Sequence, residues 1–459
     1  MVFLFVIMAD LYLSADFGSS STKIIYQFHD WSRPQFLLLD PLVESVSRPA
    51  FDDFWQRQHW HTSIGSPLPQ QEAWLAWQEQ VYVVGDLAHQ FLPDCDQIFK
   101  LKYENAVWKL AAALGAICQQ PELTLPPARV RSLALGVLLP YDEYIDRDNF
   151  FTFAAQVLNG YEFRGERFQW SLKTTFCLPE GGGIFSDYLM NSGSTLVRQQ
   201  HLLVLMLGHR NTTLLRFDRG EQKAADSPKI GFYADMLQQV CRLKSGLNEA
   251  LLLNALFLGL KQGKCFTVAI NHCGSQIYPS QHPDWKSLKA IQALVTTTVP
   301  DLRSREINQL AEAIAIATEQ YWQKISKWLH KHLSSHLETL NVALVGGGAA
   351  IFCAPELEKF LNCVPTSELR TEDRINGFSQ GKLIPLVWQE STVSKIKQLS
   401  TGNLLARTNN LIHSSNNAYR LVDAYGLFRY LLDKEGFKPK VEEKPKKSKS
   451  RAKKPKVTP

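Results

Sequence analysis

The order of hydrophobic and polar positions predicts the same structure at two places along the chain. Residues 11–17 and 23–28 carry the hydrophobic pattern of strands, and a short turn of glycine and serine joins them. Residues 201–207 and 213–217 repeat this strand–turn–strand pattern about 190 residues later. This weak duplication predicts two similar α/β lobes that face a cleft, in which ligands bind at the carboxyl ends of strands.

The rest of the pattern predicts the elements that complete these lobes. Residues 41–80 are rich in tryptophan and are predicted to be irregular. The helix predicted for residues 232–260 is interrupted at Ser245 and Gly246. The other predicted helices cover residues 105–118, 304–338 and 419–432, and further strands are predicted at 81–85, 130–139 and 342–345.

Composition is typical of a large folded protein. With 459 residues, 45% of them hydrophobic, the chain suits two or three domains with sizeable cores. The eight cysteines have neither a Cys-x-x-Cys pair nor zinc-site spacing, which is typical of reduced thiols in a cytoplasmic protein. Residues 1–8 are apolar but far shorter than the ~20 residues that span a bilayer. We therefore predict a soluble protein with no integral membrane segment, and residues 1–8 are interpreted as an N-terminal arm or a start-site artefact.

The positive charge is concentrated at the C-terminal end. The formal net charge is +6, yet ten lysines and arginines lie between Lys438 and Lys456 against only Glu442 and Glu443. The rest of the chain is therefore slightly acidic. This lysine- and proline-rich tail is predicted to be disordered. It is either a solubilising segment or a polycation that contacts DNA, anionic lipid or an acidic protein surface.

The first polar turn is the sharpest signal for a ligand. Gly18 allows the backbone to approach a phosphate, and the amides of the three serines that follow form an anion-binding nest. Asp16, just before the turn, is placed to hold a hydrated Mg²⁺. The alternative is an ordinary serine-rich hairpin turn.

Two further motifs have the composition of ligand-binding loops. Three glycines, Gly346 to Gly348, follow a predicted buried strand and precede a helix, where bare backbone admits a nucleotide. Asp142 and Glu143 follow the strand at 130–139, where a carboxylate can orient a water at a γ-phosphate. A glycine-rich link and a surface acidic loop are the alternatives for these two motifs.

In this order and spacing the motifs resemble the superfamily of actins, seventy-kilodalton chaperones and sugar kinases. The closest resemblance is to the ParM/StbA family of plasmid-segregation actins, especially its cyanobacterial branch, and it runs from about residue 9 to 432. The strings that carry it are residues 16–23, 82–88, 102–105, 139–146, 345–349 and 423–428.

The resemblance implies an α/β actin-like fold with two ribonuclease-H-like lobes around a nucleotide cleft. Lobe I is expected at residues 9–200 with an insert at about 41–100, and lobe II at 201–418 with an insert at about 236–300. A helix at 419–436 is expected to return to lobe I, and a disordered basic tail to follow at 437–459.

The resemblance also implies a function and a role for each motif. The expected protein binds ATP or GTP with Mg²⁺, assembles with itself into a cytoplasmic filament, and moves plasmid DNA through a DNA-binding adaptor. Asp16 is expected to bind the metal ion, and Glu143 is expected to position the attacking water. The residues expected to bind the nucleotide are Asp16, Gly18, Ser19, Ser20, Ser21, Lys23, Gly208, Arg210, Asn211, Thr212, Gly346, Gly347 and Gly348.

The second turn departs from the family pattern. Gly208 and Thr212 match, but Met206 stands where the family has an aspartate. A thioether is a poor ligand for Mg²⁺, so hydrolysis is expected to suffer more than binding. Arg210 either contributes positive charge toward a phosphate or faces solvent or an acidic partner.

Two other functions remain open at this point. A small-molecule kinase of the same superfamily needs a base beside the acceptor hydroxyl, and the sequence has no distinct aspartate-bearing loop for it. A nucleotide-binding scaffold without hydrolysis is the other, and Met206 is the residue that favours it. Whether the protein is an enzyme therefore stays open.

Overall fold

The structure is a computed structural model, and the part of the chain it describes excludes the N-terminal arm and the basic tail. The described residues are 8–59, 67–91, 102–120, 123, 130–262, 266–271, 274–279, 281–362, 384–401 and 415–437. The predictions for residues 1–7 and 438–459 lie outside them.

The described residues form 17 strands and 14 α-helices. The strands are β1 (Leu11–Gly18), β2 (Ser21–Phe28), β3 (Gln35–Leu39), β4 (Val43–Ser47), β5 (Ala73–Trp77), β6 (Gln80–Val84), β7 (Arg131–Leu139), β8 (Tyr161–Phe163), β9 (Glu166–Phe168), β10 (Trp170–Pro179), β11 (His201–Leu207), β12 (Thr212–Asp218), β13 (Glu221–Asp226), β14 (Phe266–Asn271), β15 (Gly274–Pro279), β16 (Val342–Gly346) and β17 (Leu386–Val387). The helices are α1 (Arg48–His59), α2 (Lys102–Cys118), α3 (Arg147–Leu158), α4 (Gly182–Ser192), α5 (Ser194–Val197), α6 (Gln238–Leu243), α7 (Glu249–Gln262), α8 (Lys289–Gln292), α9 (Pro300–Leu333), α10 (Gly348–Phe352), α11 (Ala354–Asn362), α12 (Glu390–Thr401), α13 (Ser415–Arg420) and α14 (Val422–Lys434).

Two five-stranded sheets share one plan. The first has the order β10-β7-β1-β2-β3 and the second the order β13-β12-β11-β16-β17. In each, a hairpin (β1 with β2, β11 with β12) is followed by a parallel partner on its first strand, β7 or β16. The duplication predicted from the two strand–turn–strand segments is therefore visible in the topology, and the fold is mixed α/β.

Helices α4 and α14 lie between these two sheets. Ile184 and Tyr188 of α4 pack with Tyr425 and Phe428 of α14 in one buried cluster. That cluster also contains residues of both sheets, such as Tyr12 of β1 and Val204 of β11. Burial of this apolar surface, worth roughly 25 cal/mol per Å², holds the two sheets together around α4 and α14.

The prediction that residues 41–80 are irregular is wrong for the described part of this segment. It contains β4, α1 and β5, and the sheet to which it contributes has the order β4-β6-β5-β8-β9. Phe51 of α1 stacks on Trp55, with ring centroids 5.4 Å apart, and lies 4.8 Å from Trp74 of β5. Aromatic packing between these elements orders a segment whose local pattern is weak.

The predicted helices are found with altered ends. α9 begins at Pro300, whose fixed φ suits the first turn of a helix, and ends at Leu333 rather than 338. The segment predicted for 232–260 is broken between α6 and α7 around Gly246, as expected. The segment predicted for 419–432 is split into α13 and α14 at Leu421. Among the described helices, none is both long and apolar enough to span a membrane.

Candidate functional site

A pocket lies where the carboxyl ends of β1, β11 and β16 approach one another. The space between its lining atoms is about 480 Å³, including open solvent at its mouth. Ends of parallel strands in α/β sheets are the usual place for such a pocket. The residues that line it are Asp16, Gly18, Ser19, Ser20, Lys23, Glu180, Met206, Gly208, His209, Gly347, Gly348 and Arg420.

The first turn brings a charged pair to this pocket. Asp16 at the end of β1 lies opposite Lys23 of β2 in the hairpin register, and the two side chains form a buried salt bridge. A Cβ on Gly18 would lie 2.9 Å from the carbonyl oxygen of Ser21 and 3.1 Å from Lys23 Nζ. The tight turn and the salt bridge beside it therefore require glycine at this position. Ser21 itself turns toward the carbonyl oxygens of Thr22 and Leu39.

The second turn has the same shape. The N–H of Gly208 donates to the carbonyl of Asn211 at 3.0 Å, and a Cβ on Gly208 would lie 2.6 Å from that oxygen. Asn211 Nδ2 donates to Glu180 at 3.2 Å and to Ser227 Oγ at 2.9 Å. Thr212 Oγ1 donates to the carbonyl of Ile230 at 2.8 Å. Asn211 and Thr212 therefore stabilise the turn from behind.

In the second turn, the side chain that lines the pocket belongs to His209 rather than to Arg210. His209 lines the pocket, whereas Arg210 is half-buried and is not among the residues lining the pocket in the described part of the chain. The imidazole ring of His209 lies 5.1 Å from that of Tyr233, measured between centroids. The positively charged side chains in the pocket are instead those of Lys23 and Arg420.

Two of the three glycines are closely packed, Gly346 against side chains and Gly347 against backbone. Gly346 ends β16, and a Cβ there would lie 2.5 Å from Met206 Sδ. Gly347 has φ 85° and precedes α10, and a Cβ there would overlap the carbonyl oxygen of Leu207. Gly347 and Gly348 face the pocket, while Gly346 packs under Met206.

Arg420 and Glu180 are pocket residues that the sequence analysis missed. Nη2 of Arg420 donates to Ser20 Oγ at 2.7 Å, and its Cγ and Cδ lie 3.9 Å from where a Cβ of Gly348 would be. Glu180 directly follows β10 and is 8% exposed. The three glycines after Glu180 at 181–183 are the signal that could have found it, since they repeat the strand–glycine–helix pattern of residues 342–348.

Glu143 lies beside the N-terminus of α2. Its Oε2 accepts a hydrogen bond of 3.0 Å from the N–H of Tyr103, in the first turn of that helix, and the residue is 4% exposed. A carboxylate at a helix N-terminus satisfies a donor that the helix cannot pair and interacts favourably with the helix dipole. Within the described residues, Glu143 is not among those lining the pocket.

A buried carboxylate lies behind the pocket. Asp423 of α14 accepts hydrogen bonds from the N–H groups of Gly181 at 2.7 Å and Ile184 at 3.0 Å, at the start of α4. The pKa of Asp423 is raised to about 7, mainly by burial; the two N–H donors oppose this rise, and the nearby Asp16 and Glu180 carboxylates add to it. Burial also lowers the pKa of Arg420 from its usual value, and the Asp16 carboxylate opposes that fall.

The two turns do not supply the carboxylates of a directly held Mg²⁺. The Asp16 carboxylate is engaged by Lys23, and Met206 offers a thioether, whereas Mg²⁺ prefers carboxylate and phosphate oxygens. Across the described residues there is no group of three or more His, Cys, Asp or Glu side chains arranged to hold a metal ion.

We compared the sequence and the structure with those of known proteins. No protein-family model and no curated protein matches the sequence. Among solved structures, the 15-stranded ParM filament from Clostridium botulinum is 13% identical over 93% of this chain and 100% of that chain, with a TM-score of 0.51. The pCBH ParM non-polymerisable quadruple mutant is 12% identical over 92% of this chain and 98% of that chain, also with a TM-score of 0.51. The predicted resemblance is confirmed at this level, and the chain has the actin-like fold of ParM proteins.

Proposed function

We propose that the protein binds a nucleoside triphosphate in this pocket and assembles with itself into filaments. The observation that carries the proposal is the convergence of two glycine-bearing turns, around Gly18 and Gly208, with the Gly347–Gly348 backbone at one pocket. The same pocket contains the cationic side chains of Lys23 and Arg420. Exposed backbone amides together with cations are the groups that recognise phosphates.

Filament assembly is supported by the fold. One similar structure is described as a 15-stranded ParM filament, and the other as a non-polymerisable ParM mutant. We extend this behaviour to the present chain, and with it a role in plasmid segregation in the cytoplasm through a DNA-binding adaptor. In this proposal the basic tail Lys438–Lys456 adds sequence-independent contact with DNA phosphates.

Hydrolysis is proposed to be slow. Glu143 remains our candidate for positioning the attacking water, but its carboxylate is bonded to the N–H of Tyr103 and must turn toward the pocket to act. Met206 supplies no charge to the second turn. Positioning and charge stabilisation are the main sources of catalysis in phosphoryl transfer, so a site short of both turns over slowly.

Sedimentation tests the proposal directly. Purified full-length protein is centrifuged at high speed with ATP, with GTP, with a non-hydrolysable analogue and without nucleotide, while phosphate release is followed. We expect nucleotide-dependent pelleting with slow release. Pelleting with no release identifies a static scaffold, and no pelleting under any condition refutes the filament and leaves the kinase of the same superfamily as the next function to assay.

A further inference from the structure

We infer that Arg420 neutralises phosphate charge of the bound nucleotide in place of a protein-held magnesium ion, so that nucleotide binding is independent of Mg²⁺. The inference rests on the proposed nucleotide site and concerns how that site handles charge. Three features of the described pocket carry it.

The first feature is that Asp16 already has a cation. Lys23 and Asp16 are buried together, with side chains 11% and 6% exposed, and they form a salt bridge. For Mg²⁺ to bind Asp16 directly, this buried pair must first open, which costs the interaction that offsets the burial of its two charges. The hairpin register fixes Asp16 opposite Lys23, so the pairing is built into the fold.

The second feature is the loss of the matching carboxylate in the second lobe. Met206 and Asp16 are in equivalent positions, each two residues before the glycine of its turn, Gly208 or Gly18. Met206 is 9% exposed, and its side chain packs over Gly346 at the edge of the pocket. A sulfur ligand at this position has little affinity for a hard cation.

The third feature is the guanidinium that reaches the pocket from the C-terminal segment. Arg420 lies along Gly348 and bonds to Ser20, so its side chain joins the glycine loop of one sheet to the phosphate turn of the other. Guanidinium groups bind phosphate through paired hydrogen bonds and are less strongly hydrated than ammonium groups. Arg420 can therefore supply at this point the positive charge that a metal ion usually supplies.

Glu180 provides the alternative explanation, because its carboxylate could hold a Mg²⁺ ion in the pocket. Its side chain accepts a hydrogen bond of 3.2 Å from Asn211 and faces the pocket, and one carboxylate with phosphate oxygens is enough for some Mg²⁺ sites. The experiment must therefore separate a metal held at Glu180 from charge supplied by Arg420.

Binding of a fluorescent ATP analogue to the full chain, titrated with excess Mg²⁺ and again with excess EDTA, tests the inference. We expect the wild-type Kd to change less than about threefold on chelation, since the charge compensation is built into the protein. Arg420→Ala should weaken binding by at least about tenfold in both conditions, as expected for a lost charge-assisted hydrogen bond, and Arg420→Lys should recover part of the loss. Arg57→Ala is the matched control, because Arg57 is 78% exposed on α1, away from the pocket.

A second variant tests the same inference by adding a metal ligand. Met206→Asp restores the missing carboxylate, and its affinity for the ATP analogue should become at least about tenfold stronger with Mg²⁺ than with EDTA. A wild-type Kd that weakens tenfold or more on chelation, with the effect abolished by Glu180→Gln, overturns the inference in favour of a metal at Glu180. Absence of ATP and GTP binding in both conditions overturns the proposed function itself, so the two failures are distinguishable.

Discussion

Arg420 and Ser20 are separated by 400 positions in the sequence, and the guanidinium of one donates a 2.7 Å hydrogen bond to the hydroxyl of the other. Ser20 belongs to the first turn of the chain, and Arg420 ends the short helix that precedes α14. The bond therefore attaches the C-terminal segment to the first turn. It also makes the pocket a product of the whole fold, and the following predictions concern residues on both sides of it.

The Asp16–Lys23 pair should matter for both stability and binding. Lys23→Met leaves a buried carboxylate without a partner, which typically costs about 3–5 kcal/mol, and the free energy of unfolding in urea measures the loss. The double variant Asp16→Asn/Lys23→Met removes both charges and should recover most of that stability. Nucleotide affinity should stay weak in both variants, because neither has the ammonium group. Recovery of affinity in the double variant would contradict a role for Lys23 in phosphate binding.

Gly347 should not tolerate a side chain, and Gly193 is its matched control. The two have nearly the same backbone angles, φ 85° and ψ 152° at Gly347 and φ 83° and ψ 150° at Gly193, but a Cβ at Gly347 would overlap the carbonyl of Leu207, whereas at Gly193 no atom lies within 4 Å. Gly193→Ala should cost only the strain of this backbone conformation, about 1–3 kcal/mol. Gly347→Ala should cost more and should also abolish nucleotide binding, as thermal unfolding and the fluorescence titration would show. Equal losses in the two variants would mean that backbone strain alone decides.

Asp423 should make stability depend on pH. Its pKa is about 7 in the folded protein against an ordinary value of 3.8, so its contribution to stability is complete below pH 4 and is lost as pH rises to 7. The shift corresponds to at most about 4 kcal/mol. Asp423→Asn cannot ionise and keeps one acceptor for the α4 amides. Urea unfolding at pH 5 and pH 7.5 should show a smaller decrease in stability for Asp423→Asn than for the wild type. Identical decreases in the two proteins would exclude this carboxyl as the cause.

Substitutions of Glu143 should distinguish its structural role at α2 from the catalytic role that we propose. Glu143→Gln keeps an oxygen that can accept the hydrogen bond from Tyr103, so stability should change by less than about 1 kcal/mol. The variant loses the carboxylate that we propose to position the attacking water, and phosphate release should fall at least about tenfold. Glu143→Ala is the companion variant and should lose roughly 1–2 kcal/mol as well, as for other lost helix caps. An unchanged release rate in Glu143→Gln would restrict Glu143 to capping α2.

Local sequence determined the parts of the site that depend on local geometry. The turns at Gly18 and Gly208 were predictable because two strand patterns joined by a short turn that contains glycine are typical of a tight hairpin. The backbone at Gly347 was predictable for the same reason. Arg420 was not, since its helix is short and only the packing of the following helix, α14, between the two sheets brings it to Ser20. Nor was the Phe51–Trp55–Trp74 cluster, because its order arises between elements rather than within one.

Helix α14 provides the Asp423 side chain that caps α4, and Arg420 lies immediately upstream of it. During synthesis these residues emerge after both turns. A nascent chain therefore has both turns long before it has the residue that joins them. A chain truncated before Arg420 lacks part of the pocket lining, and we expect such a product to be kept out of the nucleotide-dependent assembly that we propose.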